Sequence, residues 1–156
     1  MPRRYRPAKR EIKPDIRYDS VLIEKFINRM MYGGKKSRAR QIMYDAMDMV
    51  EARTKKPALE VFEEAIRNVK PSIEVKPRRV GGSTYQVPVE VPPYRQTSLA
   101  IRWLLASTRN RNERGMVNKL AAELMDAAQG AGAAVRKREE TYRMAESNRA
   151  FAHLRW

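Results

Sequence analysis

The residues best suited to hold a phosphate form the segment GGKKS, at Gly33 to Ser37. The phosphate-binding loop of an NTPase needs Gly five positions before its last Gly, and Ser or Thr directly after its Lys. Arg29 and Lys36 occupy those two positions, and no strand pattern precedes the segment. The sequence therefore favours two lysines that contact RNA phosphates, or that complement the dipole at a helix C-terminus.

No other set of residues is typical of catalysis or of metal binding. The chain has no Cys and one His, His153, which excludes thiolate and histidine-cluster metal sites. Neighbouring acids such as Glu139 and Glu140 diverge on a helix and cannot act as a pair. We predict a protein without catalytic residues, cofactor, metal ion or small-molecule substrate, and we expect His153 to be exposed or to pack on its neighbours.

Positive charge dominates the composition. Lys and Arg number 33 against 18 Asp and Glu, which gives a formal charge of +15. This excess repels itself in the folded state and is relieved by a polyanion, for which nucleic acid fits better than a membrane surface. No apolar run approaches the roughly 20 residues of a spanning helix, and none follows the basic N-terminus as a signal peptide requires. We therefore expect a soluble, intracellular protein that binds nucleic acid and no membrane.

The first 14 residues combine this charge with three prolines and few apolar side chains. Such a segment has almost nothing to bury, so we predict a flexible basic arm that becomes ordered on a partner. Residues 15–156 then form a single helical nucleic-acid-binding domain. The cations of the arm are Arg3, Arg4, Arg6, Lys9, Arg10 and Lys13.

One stretch, at about residues 73–91, has the alternation typical of a β-hairpin. Gly81 and Gly82 can adopt the positive φ that a tight turn requires, and Tyr85, Val87 and Val89 alternate with polar or proline positions after them. A lone hairpin is marginally stable in water, so its apolar face should rest on helices. We expect the other face to be basic, with Lys76, Arg78 and Arg79. A solvated loop with a charged cluster is the alternative for an arbitrary protein, but the charge of the whole chain favours an anionic ligand.

Apolar spacing predicts six helices around one core, with the hairpin between the third and the fourth. Gly33 and Gly34 should close the first helix, Ser37 should cap the second, and Pro57 should be the first residue of the third. We predict the fifth helix at about Glu113 to Gln129. The sixth, from about Ala133, has only a thin apolar line among many charges, so we expect it to lie outside the core. The predicted fold is a mainly α, single-domain bundle.

Charge segregates along this bundle. The second and third helices are rich in acids and act as a scaffold, whereas residues 70–111 carry eight basic and two acidic side chains. We therefore expect the arm, the hairpin, and the fourth helix with its following loop to face the anion. The basic residues of that helix and loop are Arg95, Arg102, Arg109 and Arg111.

Aromatic residues near these cations could stack unpaired bases. Tyr85 follows the glycine turn and Tyr94 precedes Arg95. Packing against the core is at least as good an interpretation for Tyr85, because it alternates with Val87. The spacing of Trp103 on the fourth helix predicts a core residue.

Several segments of the chain resemble a known family along essentially its whole length. The hairpin KPRRVGGSTYQVPVEV is the most specific, since RRVGG followed by YQVP carries far more information than basic charge. The others are FINRMMYGGKKSRARQIMYDA, SLAIRWL, AAELMDAA and KREETYRMAESNRAFAHLRW. Together they are similar to the bacterial form of protein seven of the small ribosomal subunit.

This resemblance implies a non-enzymatic helical bundle with a protruding hairpin. It also implies binding to the 3′ major domain of 16S ribosomal RNA, nucleation of the assembly of the 30S head, and participation in translation. Family members lie at the subunit interface near the decoding centre, beside the exit-site transfer RNA, the messenger's exit path, and proteins nine and eleven. The expected location is the ribosome of a bacterial cytoplasm or of an organelle.

Carried over to this chain, the resemblance assigns two groups of residues. The hairpin tip close to transfer RNA consists of Val80, Gly81, Gly82, Ser83 and Tyr85. The predicted ribosomal RNA contacts are Arg3, Arg4, Arg6, Lys9, Arg10, Lys35, Lys36, Lys76, Arg78, Arg79, Arg95, Arg102, Arg109 and Arg111. The chain departs from the family pattern at Lys76 and Pro77, where Arg and Ser are common, and at Leu154, where Tyr is usual.

The rival interpretation is an architectural DNA-binding protein with basic β-arms. Such arms usually carry a Pro wedge at the tip, whereas this tip is Val80, Gly81 and Gly82. A third class, RNA-modifying enzymes, requires a cofactor loop or an acid–base constellation that the sequence lacks.

Overall fold

The computed structural model describes residues 10–154 and confirms the mainly α fold with a two-stranded hairpin between the third and fourth helices. Most of the predicted arm, including Arg3, Arg4, Arg6 and Lys9, lies outside the described residues. The elements are α1 (Val21–Met30), α2 (Lys36–Thr54), α3 (Ala58–Val69), β1 (Ile73–Val80), β2 (Ser83–Glu90), α4 (Pro93–Asn110), α5 (Met116–Ala128) and α6 (Gly132–Ser147), followed by a 3₁₀ helix (Arg149–Leu154).

The core is built from the apolar stripes of the helices. Phe26 of α1 and Phe62 of α3 meet edge to face with ring centroids 5.5 Å apart, which is a favoured geometry for aromatic pairs. Met43, Leu104 and Leu120 bring α2, α4 and α5 into the same buried cluster. Trp103 packs against this cluster but is only partly buried. The helical periodicity of the sequence thus corresponds to one shared core.

Several predicted helix ends are wrong by a few residues. The first helix ends at Met30, because Met31 adopts an extended ψ of 137°, and Gly33 and Gly34 lie in the turn that follows. Lys35, not Ser37, precedes the first residue of α2, and Pro57 precedes α3 instead of beginning it. The fifth helix begins at Met116. In none of these cases does a side chain cap the helix, so cap residues were a poor guide to where each helix begins.

The prediction that the sixth helix lies outside the core is wrong. Ala134 and Val135 are 0% and 2% exposed and belong to the core cluster. The helix approaches closely because its inner residues are small, and a Cβ at Gly132 would lie 3.2 Å from the carboxylate of Glu123. The hydroxyl of Tyr142 also accepts a hydrogen bond from the backbone N–H of Ser72, 2.9 Å away. Small side chains weaken the apolar pattern of a helix without preventing its burial.

The hairpin turns at Gly81 and Gly82, whose φ values of 56° and 89° suit a two-residue turn between Val80 and Ser83. Pairs alternate between hydrogen-bonded and non-hydrogen-bonded from this turn outwards. Pro77, which pairs with Gln86, and Pro88 both fall at non-hydrogen-bonded positions. Neither proline therefore removes a bond from the ladder.

The same register shows that the predicted division of the hairpin into an apolar and a basic face is wrong. Lys76 pairs with Val87 and Arg78 with Tyr85, so these cations share a face with the packed side chains. Val87 is fully buried, and the ring of Tyr85 lies 4.9 Å from that of Phe151 in the 3₁₀ helix. Arg79 lies on the opposite, exposed face. The two-residue turn puts the apolar residues of β1 and β2 on different sides.

Burial of α6 can be tested with two matched substitutions. Val135→Ala should lower the free energy of unfolding by roughly 1–3 kcal/mol, because it removes buried methyl groups and leaves a cavity. Val21→Ala, at a valine that is 41% exposed, should change it much less. Urea unfolding of both variants measures the difference. Equal, small losses would mean that α6 lies outside the core.

Candidate nucleic-acid interface

A row of arginines runs along one side of α4. Arg95, Arg102 and Arg109 are spaced by seven residues, which is close to two helical turns, so the three side chains leave the helix in nearly the same direction. At 1.5 Å per residue the row is about 21 Å long. Arg102 and Arg109 are exposed. Arg102 and Arg109 are about 10.5 Å apart along the helix axis, so the two side chains can contact different phosphates of a nucleic acid backbone.

A second set of cations, on α1, faces this row. Arg29 lines a groove of about 280 Å³ together with Arg102 and Arg109. Lys25, one turn before Arg29, lines a neighbouring groove with Tyr94 and Ile12. Lys25 and Arg29 are not among the site residues predicted from the sequence. Their i, i+4 spacing on the polar side of α1, opposite its buried stripe, is the signal that could have identified them.

The two adjacent lysines of GGKKS have different environments. Lys35 is exposed, whereas the ammonium of Lys36 forms an ion pair with the carboxylate of Glu24, which is buried on α1. Arg40 lies 3.7 Å from the other oxygen of Glu24. A contact of Lys36 with RNA stays a prediction, and the structure gives this residue a second role in holding α1 against α2.

Glu74 fastens the base of the hairpin to α4. Its carboxylate accepts hydrogen bonds from Nε and Nη2 of Arg95 at 2.9–3.1 Å and lies 2.9 Å from Nζ of Lys76. Burial raises the pKa of Glu74, but the bonds from Arg95 and Lys76 outweigh burial, so its pKa is lower than usual. Arg95 and Lys76 are thus partly neutralised, although both remain about 40% exposed.

Arg111 is directed into the protein. Its guanidinium lies 2.9 Å from Glu113, 2.6 Å from the fully buried Glu123 and 2.8 Å from Asp126. Burial lowers the pKa of Arg111, but these three carboxylates outweigh it and raise the pKa above its usual value. The other oxygen of Glu123 accepts the N–H of Ala134 at 3.0 Å. Arg111 therefore ties the loop after α4 to α5 and to the first turn of α6.

The remaining predicted residues lie at the hairpin tip and near the N-terminus. Gly81, Gly82, Ser83 and Arg79 are exposed, whereas Val80 and Arg78 are half-buried. The ring of Tyr85 packs on that of Phe151, which agrees with the prediction that this residue packs against the protein. Tyr94 is 71% exposed, and Arg10 is also exposed.

Within residues 10–154, no group of three or more acidic or histidine side chains is arranged to hold a metal ion. No helix in this part of the chain is long and apolar enough to cross a membrane.

Comparison with known proteins gives one consistent result. The family model described as ribosomal protein S7p/S5e matches residues 2–149. Proteins named small ribosomal subunit protein uS7 from Nitratidesulfovibrio vulgaris strain DP4 and from Gemmatimonas aurantiaca are 57% and 58% identical over the full length of both chains. The protein of that name from Sulfurimonas denitrificans is 58% identical over 99% of each chain. These matches confirm the resemblance found in the sequence.

The ion pairs of Glu74 predict a specific dependence of stability on pH. Glu74→Gln should lower the free energy of unfolding at about pH 7 by roughly 1–2 kcal/mol, because Arg95 and Lys76 lose a charged partner while water screens part of each pair. Folding lowers the pKa of Glu74, so this contribution is complete above its unfolded pKa of about 4.3 and is lost as the pH falls below that value.

Urea unfolding of both proteins at about pH 7 and pH 3 measures this dependence, and the difference between them should shrink at the lower pH. Glu63→Gln, at an exposed site on α3, is the control and should have little effect at either pH. A difference for Glu74→Gln that does not change with pH would contradict the assignment.

Proposed function

The chain belongs to the ribosomal protein S7p/S5e family, and from this premise we propose that it binds the 3′ major domain of 16S ribosomal RNA and nucleates the assembly of the 30S head. At the level of the family, it is a structural constituent of the small ribosomal subunit, it takes part in translation within the ribosome, and it is not an enzyme. The RNA domain, the assembly step and the neighbours below are the proposed part.

The observation that carries this proposal is the groove in which Arg29 of α1 faces Arg102 and Arg109 of α4. Lys25 and Lys35 extend the same positive surface along α1 and the turn after it. We refer to these five residues as the α1–α4 face. Such a surface binds phosphates and is rigid, because both of its helices pack into the core.

The N-terminal segment and the hairpin extend this surface in our proposal. Ile12 lies in a groove beside Lys25, so the first described residues reach the α1–α4 face. The cations of the arm would then continue the contact with ribosomal RNA. At the other end, the bonds between Glu74 and Arg95 join the hairpin to the first turn of α4.

The hairpin has the reach to meet a second ligand. Each strand has eight residues, or about 26 Å at 3.3 Å per residue, of which the part from the base to Tyr85 packs on the protein. Beyond it, a Cβ at Gly81 or Gly82 would meet no heavy atom within 4 Å apart from the neighbouring residues of the chain. We propose that the tip contacts exit-site transfer RNA near the messenger's exit path in a cytoplasmic ribosome. Proteins nine and eleven are the proposed protein neighbours.

Two arginines from the predicted set of RNA contacts, one exposed on α4 and one held by carboxylates after it, allow a sharp test of the RNA interface. Arg102→Ala should reduce the slope of log affinity against log salt by roughly 0.7–0.9, because one phosphate contact is lost, and should leave stability nearly unchanged. Arg111→Ala should leave that slope unchanged and lower the free energy of unfolding by about 3 kcal/mol, because Glu123 would be buried without its partner.

The affinities are measured by filter binding to a transcribed 3′ major domain at several salt concentrations, with duplex DNA of equal length as competitor. Preference for the duplex DNA would favour an architectural DNA-binding protein. A lower salt slope for Arg111→Ala would show that this residue does contact RNA, and an unchanged slope for Arg102→Ala would remove Arg102 from the interface.

The role of the hairpin can be separated from RNA anchoring by shortening it. Deletion of Arg79, Val80, Ser83 and Thr84 removes two register pairs, keeps Gly81 and Gly82 as the turn, and preserves which face each remaining side chain occupies. The tip retracts by about 7 Å. We expect normal subunit assembly, because the α1–α4 face is intact, but weaker retention of transfer RNA at the exit site.

Both properties are measured on the same purified particles. Arg79→Ala at full hairpin length is the control that removes the charge without removing the reach. Normal exit-site retention in the shortened variant would contradict the proposed contact, and failed assembly would mean that the tip binds ribosomal RNA instead.

A further inference from the structure

Tyr32 is an exposed aromatic residue at the centre of the α1–α4 face. It is 75% exposed, lies two residues after the end of α1, and has the guanidinium of Arg109 over its ring at 4.9 Å from the centroid. One face of the ring therefore lies beside a cation, while three quarters of the residue remains accessible to a ligand. Arg109 is itself positioned by the carbonyl oxygen of Met30, which accepts its Nη2 at 3.4 Å.

The turn after α1 holds this ring next to a lysine. The N–H of Lys35 donates to the carbonyl oxygen of Tyr32 at 3.0 Å, which closes a four-residue turn. Gly33 and Gly34 occupy its centre with φ values of 55° and 73°, and no heavy atom lies within 4 Å of where their Cβ atoms would be. The backbone at this point is thin, so a nucleic acid strand can come close to the ring.

An apolar groove of about 210 Å³ lies beside Tyr32. Met30, Ile42 and Met116 supply apolar side chains to its lining, and Lys35, Arg38 and Arg109 supply positive charge. Its volume is below the roughly 300 Å³ of the smallest typical ligand pockets, so it suits one planar group and not a larger ligand. A planar group flanked by negative charge matches this combination.

We propose that Tyr32 stacks one unpaired nucleobase of the bound ribosomal RNA in this groove, while Lys35 and Arg38 contact the phosphates on either side of that base. The inference rests on the proposed binding of ribosomal RNA and adds Tyr32 to the residues that contact this RNA. Single-stranded loops and bulges offer unstacked bases, and every base has a π-face that an aromatic ring can cover. Arg109 holds the ring in place before RNA binds, which reduces the entropy lost on binding.

Stacking differs from phosphate contact in its dependence on salt. Loss of a stacked base releases no counterion, so it weakens binding by the same factor at every salt concentration. Loss of a phosphate contact lowers the salt slope. Base stacking by Tyr32 and phosphate contact by the α1–α4 face are therefore distinguishable in one set of binding curves.

Three substitutions at Tyr32 provide the test, with the transcribed 3′ major domain as the RNA. Tyr32→Ala and Tyr32→Leu should each weaken binding about tenfold, since Leu supplies apolar area but no π-face, whereas Tyr32→Phe should bind within about twofold of the original protein. All three should keep the original salt slope. Thermal unfolding should change little, because the side chain is exposed.

Ultraviolet cross-linking of the unsubstituted protein to the same RNA, followed by mass spectrometry, gives a second readout that needs no variant. A nucleotide cross-linked to Tyr32 supports the proposal. Binding by Tyr32→Leu as tight as by the original protein, or a reduced salt slope for Tyr32→Phe, would overturn it. If the original protein binds this RNA no better than duplex DNA, the proposed function itself fails, which is a separate result.

Discussion

Four buried carboxylates hold the elements of this fold together. Burial of a charged group is costly unless a cation compensates it, and removal of one partner of such a pair typically costs about 3–5 kcal/mol. In the described part of the chain, each buried carboxylate lies within 4.0 Å of a cation from another segment, so each pair joins two parts of the structure. These carboxylates are Asp15, which lies before α1, Glu24 of α1, Glu74 of β1 and Glu123 of α5.

The same pairs determine which cations remain for a ligand. Lys36 and Arg111 are held by buried acids, whereas Lys35, Arg102 and Arg29 stay exposed in the α1–α4 face. Some of the cations behind the formal charge of +15 thus form internal ion pairs, and others remain exposed for binding. The carboxylate of Glu74 joins the hairpin to α4, which also carries the row of arginines. The direction of the hairpin and the positions of these arginines therefore depend on the same helix. In the proposed function, this arrangement lets a small domain contact both ribosomal RNA and transfer RNA.

The sequence predicted the parts of the fold that have strong periodic patterns. Phe26 and Phe62 lie at clean helical spacing, and the two glycines of the hairpin turn set its register. The burial of α6 escaped prediction, because Ala134 and Ala145 are small and barely change the apolar pattern. The division between Lys35 and Lys36 could not be predicted either, since it depends on Glu24, twelve residues before Lys36 and buried only once α1 packs on α2.

Arginine-selective chemical modification of the free and RNA-bound protein, quantified by mass spectrometry, tests this division of charge most directly. Exposed arginines react readily, and bound phosphates protect them. The account predicts that Arg29 and Arg102 react fast in the free protein and become protected by RNA, while Arg111 reacts slowly in both states. Fast reaction of Arg111 in the free protein, followed by protection on RNA binding, would contradict it.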